Sequence, residues 1–174
     1  MTFRDGWVPP DLEGRRWEDD QIVVAARFVR GLLDATAGSS LAGEAEVVCH
    51  GDLSPCNFVF VGGKPRFLID FDRAHPGSRR SDLAYMGWCW LVGREDECAP
   101  ALETRLRRLG LLLDAYELGE RSDLARAILA EREEILESSR QRRNEAATAW
   151  VESEIEFVRE HATQIDAAAA PARR

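Results

Sequence analysis

The chain has 174 residues, 45% apolar and 31% charged, with a formal net charge of −8; that length suits one domain with a real core. No apolar run approaches the ~20 residues of a membrane span, and no basic face is visible that would neutralise nucleic-acid phosphates, while the acidic balance reads as plain solubility before a cationic substrate. The four cysteines form no Cys-x-x-Cys pair and the three histidines lack metal-ligand spacing, which argues against a zinc site and fits a reducing, cytoplasmic setting.

Residues 1–16 carry charges and prolines where an export signal would be apolar, and Val8-Pro9-Pro10 imposes extended backbone, so an irregular arm is expected there. A helix is predicted over 18–35, with Ile22, Ala26, Val29 and Leu33 on one face and acidic Glu18, Asp19 and Asp20 at its positive end. A loop over 36–43 follows. The β region comes next: a buried strand over 47–49, then strands over 58–61 and 67–69 around Gly62-Gly63-Lys64-Pro65. Pairing of that hairpin brings the loop 50–57 beside Asp70, so polar groups distant in sequence become neighbours.

Beyond a loop at 74–80 the chain reads as helical. Ser81 is the expected N-cap of a helix through Val92 that turns Leu83, Trp88 and Leu91 inward, with a break at Gly93-Arg94-Glu95-Asp96. Leu102, Leu106, Leu109, Leu113 and Tyr116 mark the next helix, stopped at Gly119. Ser122 caps another through about Arg140, and a last helix from about Asn144 carries Ala147, Val151, Ile155, Val158, Ala162 and Ile165 on one face. The organisation expected is an arm (1–16), one body (17–166) and a frayed tail (167–174).

The chemistry concentrates in VVCHGDLSPCNFVF and the LIDF step that follows the hairpin. Phosphoryl transfer needs a held acceptor hydroxyl and divalent metal across the phosphates, for which carboxylates and one amide suffice. Asp52 is placed to accept a hydroxyl proton, Asn57 five residues on can offer an amide oxygen to Mg²⁺, and Asp70 a carboxylate to the same metal, with His50 bracing the loop. Taken singly, each reads as structural before catalytic: Asp52 as a turn residue, Asn57 as a cap and Asp70 as an Asx turn closing a strand. Asp72 and His75 read as structural or solvent-facing, and Tyr85, Met86, Trp88 and Trp90 as core before acceptor pocket. Cys56, inside the loop, is the thiol most open to modification.

His50-Gly51-Asp52, Asn57, Ile69-Asp70-Phe71, Gly77 and Asp82-Leu83-Ala84 together resemble the aminoglycoside phosphotransferase and choline kinase group of small-molecule kinases. The resemblance implies an α+β, mostly α fold: a protein-kinase-like C-lobe whose short β hairpin carries the catalytic and metal loops. It implies Asp52 as catalytic base with His50 beside it, Asn57 and Asp70 as Mg²⁺ ligands and cofactor-binding residues, and Asp82 tying down the catalytic loop. ATP or GTP would be the phosphoryl donor and a small-molecule hydroxyl the acceptor. Ser54 stands where protein kinases carry a phosphate-binding Lys, which favours a small-molecule acceptor.

Kinases of this fold cover the nucleotide with an N-terminal sheet, a glycine-rich loop and a Lys–Glu pair. No such strand-turn-strand precedes His50, and the sole lysine, Lys64, follows the catalytic loop. The N-lobe is therefore expected to be absent and activity of the chain alone impaired. Three origins stay open: a fragment of an active kinase, a C-lobe that works with a second chain, or a noncatalytic binding or assembly module. The last predicts an apolar surface where the missing lobe would dock, open to self-association or a partner chain.

Overall fold

A computed structural model of the chain describes residues 6–10, 17–93 and 99–171. The expected arm lies partly outside these, at 1–5 and 11–16, as do most of the break at 93–96, Cys98 and the last three residues of the tail. The architecture is α+β and mostly helical, as the sequence implies.

Helix α1 (Asp19–Thr36) opens with a capping box in which Glu18 and Gln21 exchange side-chain and backbone hydrogen bonds, satisfying two amides that a helix start leaves orphaned. Its buried face is Ile22, Ala25, Ala26, Val29 and Leu33. Strand β1 (Val47–Cys49) leads into the loop at His50, a short 3-10 turn (Pro55–Asn57), and a hairpin of β2 (Phe58–Val61) and β3 (Lys64–Leu68). The two-residue tip Gly62-Gly63 has positive φ at both positions, 59° and 75°, the twist that matches a hairpin and that glycine adopts without steric cost. Lys64 and Pro65, expected in the turn, belong to β3. Tip and helix are tied together: Gln21 donates to the Gly63 carbonyl at 2.8 Å, and Lys64 pairs with Asp20.

Two strand contacts were not legible in the sequence. Trp7, placed in the expected irregular arm, forms a β-bridge with the hairpin edge, exchanging backbone hydrogen bonds with Phe60 at 2.9 and 2.7 Å. The expected loop at 74–80 contains β4 (His75–Gly77), antiparallel to β1 with Val47 opposite Gly77. Residues His-Pro-Gly carry no β signal of their own; the unpaired edge of β1 recruits them. Gly77 is required by closeness, since a Cβ there would sit 2.7 Å from the Cys49 sulfur.

Helix α2 (Arg79–Gly87) starts three residues earlier than expected, because Ser78, not Ser81, caps it by accepting from the Ser81 amide at 3.1 Å. The helix widens into a π-helical turn over Trp88–Val92, wholly buried. Helix α3 (Leu102–Tyr116) ends on Glu117 in the left-handed conformation, φ 63°, not at Gly119. Helix α4 (Leu124–Gln141) follows left-handed Asp123, so Ser122 is not its cap. Asn144 caps α5 (Glu145–Glu160) as expected, through the Ala147 amide at 3.0 Å. The single last helix is two: the chain turns at His161 and resumes as α6 (Ala162–Ala169), whose Ile165 and Ala169 are fully buried. The expected frayed tail is therefore helical and packed through Ala169.

One core runs through α1, β1, β2, α2 with its π-helical turn, α3 and the start of α4, and takes in Val158 of α5 and Ile165 and Ala169 of α6. At its centre Trp90 meets Phe58 edge-on at 5.0 Å and lies 5.0 Å from Trp17, which stacks on Phe60. The aromatic-rich helix beside the His50–Asn57 loop is thus core.

Candidate active site

The site is built where four elements end. β1 delivers His50, the 3-10 turn holds Asn57, β3 delivers Asp70, and the first turn of α2 carries Asp82. Asp82 is buried and spans the start of the loop: its Oδ2 accepts from the His50 amide at 2.8 Å and its Oδ1 from the Gly51 amide at 3.0 Å. Burial pushes its carboxyl above the usual range, and the two amides pull the other way by favouring the charged form. Gly51 has φ 77°, and a Cβ there would meet the Arg73 carbonyl oxygen at 2.3 Å. No other residue fits.

His50 braces the loop from inside. Its Nδ1 accepts from the Asp52 amide at 3.3 Å, which leaves the proton on Nε2 to donate to the Ile69 carbonyl at 3.1 Å. That bond couples the His50–Asn57 loop to the residue before Asp70. Phe71, after Asp70, packs its ring on the His50 ring at 4.4 Å between centroids. Asn57 adds a second link, since its own carbonyl accepts from the Ile69 amide at 3.0 Å.

Asp52 is half-buried and its carboxylate is aimed by an Asx turn, the Ser54 amide reaching Oδ1 at 3.3 Å. Turn geometry and a chemical role are therefore compatible in the same residue. Asn57 commits its Nδ2 to the Asp52 carbonyl at 2.9 Å, which leaves its Oδ1 as the atom to offer a cation. Asp70 is exposed and stands in the left-handed region, φ 63°, which short polar side chains tolerate better than most. The structure thus brings His50, Asp52 and Asn57 into one bonded loop and ties the Asp70 turn to it through Ile69.

His75 turns to the Arg73 carbonyl at 2.9 Å, and both it and Asp72 are exposed. Cys49 is buried against the Ser78 carbonyl and its thiol is pushed up to about 12, mainly by burial, so it is inert at neutral pH. Cys56 is half-buried in the 3-10 turn. Among the described residues no three His, Cys, Asp or Glu side chains gather as a metal site by themselves. Asn57 and Asp70 are nonetheless hard oxygen donors of the kind Mg²⁺ takes, with phosphate and water completing its shell.

Sequence reasoning missed two contacts on the loop. Trp90 donates its indole N–H to the Leu53 carbonyl at 2.9 Å, and Tyr85 donates its hydroxyl to Asp52 Oδ1 at 2.8 Å. A signal existed for the second: Tyr85 lies at i+3 from Asp82 on one helix, so both side chains share a face.

The phosphotransferase enzyme family model matches residues 2–124, which include every residue of the loop and of α2. A curated relative, the trifolitoxin immunity protein of Rhizobium leguminosarum bv. trifolii, is 29% identical over 126 residues, covering 60% of this chain and 48% of the relative. The chain thus spans about half the length of that protein. No solved structure matches. Among the described residues, no helix is long and apolar enough to cross a membrane.

Proposed function

From the premise that the chain belongs to the phosphotransferase enzyme family, we propose that it serves Mg²⁺-dependent transfer of a nucleotide γ-phosphoryl group to a small-molecule hydroxyl. Asp52 takes the hydroxyl proton as the acceptor oxygen bonds to phosphorus and the bond to the bridging oxygen breaks, releasing the nucleoside diphosphate. Asn57 Oδ1 and the Asp70 carboxylate would hold Mg²⁺, which supplies charge neutralisation along the phosphates. His50 orients the loop and does not exchange protons with substrate, because both ring nitrogens are engaged within the protein.

The observation that carries this reading is the bonded path from Asp82 through His50 to the Ile69 carbonyl. It ties the two motifs of the resemblance into one preorganised unit, which is what transfer by positioning and electrostatics requires. A Pro-rich turn with incidental acids would have no need of it.

A second reading, a noncatalytic binding module, draws on the description of the relative as an immunity protein, since immunity can rest on sequestering a toxin as well as on modifying it. Calorimetric titration with Mg²⁺-ATP and Mg²⁺-GTP separates the two. Saturable binding, weakened at least roughly tenfold by Asp70→Asn, is the expected result. No binding at millimolar nucleotide, with a stable dimer by size exclusion, would turn the conclusion to the binding module.

A further inference from the structure

Asp52 is gripped through its Oδ1. The Tyr85 hydroxyl and the Ser54 amide both donate to Oδ1, at 2.8 and 3.3 Å, and among the described residues no hydrogen bond falls on Oδ2. Tyr85 is 8% exposed. Its phenol is pushed well above the ordinary range, by burial first and also by the neighbouring Asp52 carboxylate, so it stays protonated and acts as a donor.

What holds the phenol in place comes from the far end of the chain. The Arg132 guanidinium, on α4, lies 4.6 Å from the centre of the Tyr85 ring and 3.6 Å from that of Trp88. Trp88 is pinned in turn: its indole N–H donates to Glu154 on α5 at 2.7 Å, and its ring meets those of Tyr85 and Trp150 edge-on at 5.8 and 5.6 Å. Arg132 is 1% exposed, and among the described residues its Nε and Nη2 have no hydrogen-bond partner. A Leu or Met of similar reach would fill that space without the cost of desolvating a guanidinium. What the cation adds is attraction to the two aromatic faces.

We infer that Tyr85 and Arg132 are positioning residues for Asp52: Arg132 fixes the Tyr85 ring, the Tyr85 hydroxyl occupies Oδ1, and Oδ2 is left as the oxygen that receives the acceptor's proton. This rests on the reading of Asp52 as the base. It makes Arg132 of α4 and the α5 residues behind it, which carry no motif and lie beyond the matched residues 2–124, part of the working site. The commitment of one oxygen also fixes the side from which an acceptor hydroxyl approaches.

The chain has two tyrosines, so labelling tyrosine with ¹³C at Cζ gives two signals, assigned by Tyr116→Phe. Asp52→Asn and Arg132→Met are each expected to move the Tyr85 signal and leave that of Tyr116 in place. A Tyr85 signal indifferent to Asp52→Asn overturns the inference; one that answers Asp52→Asn but not Arg132→Met overturns the part played by Arg132. Should Arg132→Met fail to fold, Arg132→Lys, which keeps the charge but not the planar fork, gives the same comparison. The functional arm follows phosphate release from Mg²⁺-ATP with water as acceptor. Tyr85→Phe should lower kcat roughly 10- to 100-fold with KM for Mg²⁺-ATP unchanged, a split that a merely loosened fold does not produce. If Asp52→Asn lowers kcat and Tyr85→Phe does not, the phosphotransferase reading stands and this inference alone falls. If release is the same in wild type and Asp52→Asn, both fall.

Discussion

The stretch 47–92 and the stretch 102–169 are held by different physics. In the first, single directed hydrogen bonds place backbone atoms: Asp82 on two amides, His50 on the Ile69 carbonyl, Asn57 on the Asp52 carbonyl, Trp90 on the Leu53 carbonyl. Its strands are three to five residues long, and its turns use positive φ at Gly51 and Asp70. In the second, long amphipathic helices bury stripes such as Leu109, Leu112 and Leu113, and the outer faces carry exposed ion pairs, Arg140–Glu152 and Arg159–Glu133. Directed bonds give position and fail singly; packed faces give stability and fail by degrees. A site that works by positioning needs the first kind, supported by the second.

The contrast can be broken or sharpened by substitution. Asp52→Asn should lower turnover by roughly 10²–10⁴ if the base assignment is right, while shifting the urea midpoint little, since the amide oxygen can still accept from Tyr85. Wild-type turnover in a chemistry-limited assay would remove Asp52 from the reaction. Leu113→Ala should do the reverse, lowering unfolding free energy by about 2–5 kcal/mol with kcat of the folded fraction intact. Asp82→Ala lies between the two regimes. It strips the acceptor from two loop amides, an expected loss of about 2–4 kcal/mol, together with loss of activity because His50 and Gly51 are no longer held. Equal activity at equal folded fraction would show that the loop keeps its shape without Asp82.

Smaller effects belong to the helical surface. Arg140→Ala should change stability by under about 0.5 kcal/mol, as exposed pairs do; a shift of several degrees in Tm would mean that the α4–α5 contact depends on charge. Asp19, at the start of α1, is held at about 2 by hydrogen bonds from Arg107 and then Arg108 on α3. Because the folded state lowers this pKa from 3.8, its stabilisation is present above that value and is lost as pH falls through about 2. Asp19→Asn should flatten that part of the acid limb, modestly because the pair is exposed, and added salt should shrink the difference.

Legibility followed the range of the interaction. The α1 face, the hairpin around Gly62-Gly63, the stripe in α3 and the Asn144 cap depend on neighbours within a few residues, and each could be read from spacing. Ser81 was misread as a cap because Ser78 and Ser81 offer the same chemistry three residues apart, and only the fold chooses between them. Glu117 and Asp123 end and begin helices in left-handed conformations that composition assigns to glycine, so Gly119 and Ser122 were the wrong landmarks.

By itself the sequence determined the family, the order and spacing of His50, Asp52, Asn57 and Asp70, and the alternation of apolar residues that makes the chain mostly helical, because motif spacing and periodicity are local properties of a chain. Tertiary structure alone decided that β4 closes onto β1, that Trp7 joins the hairpin edge, and that Tyr85 with Arg132 behind it reaches Asp52. Those contacts join residues 26 to 53 positions apart or rest on a ring orientation set by packing, and nothing in the local pattern of either partner announces the other.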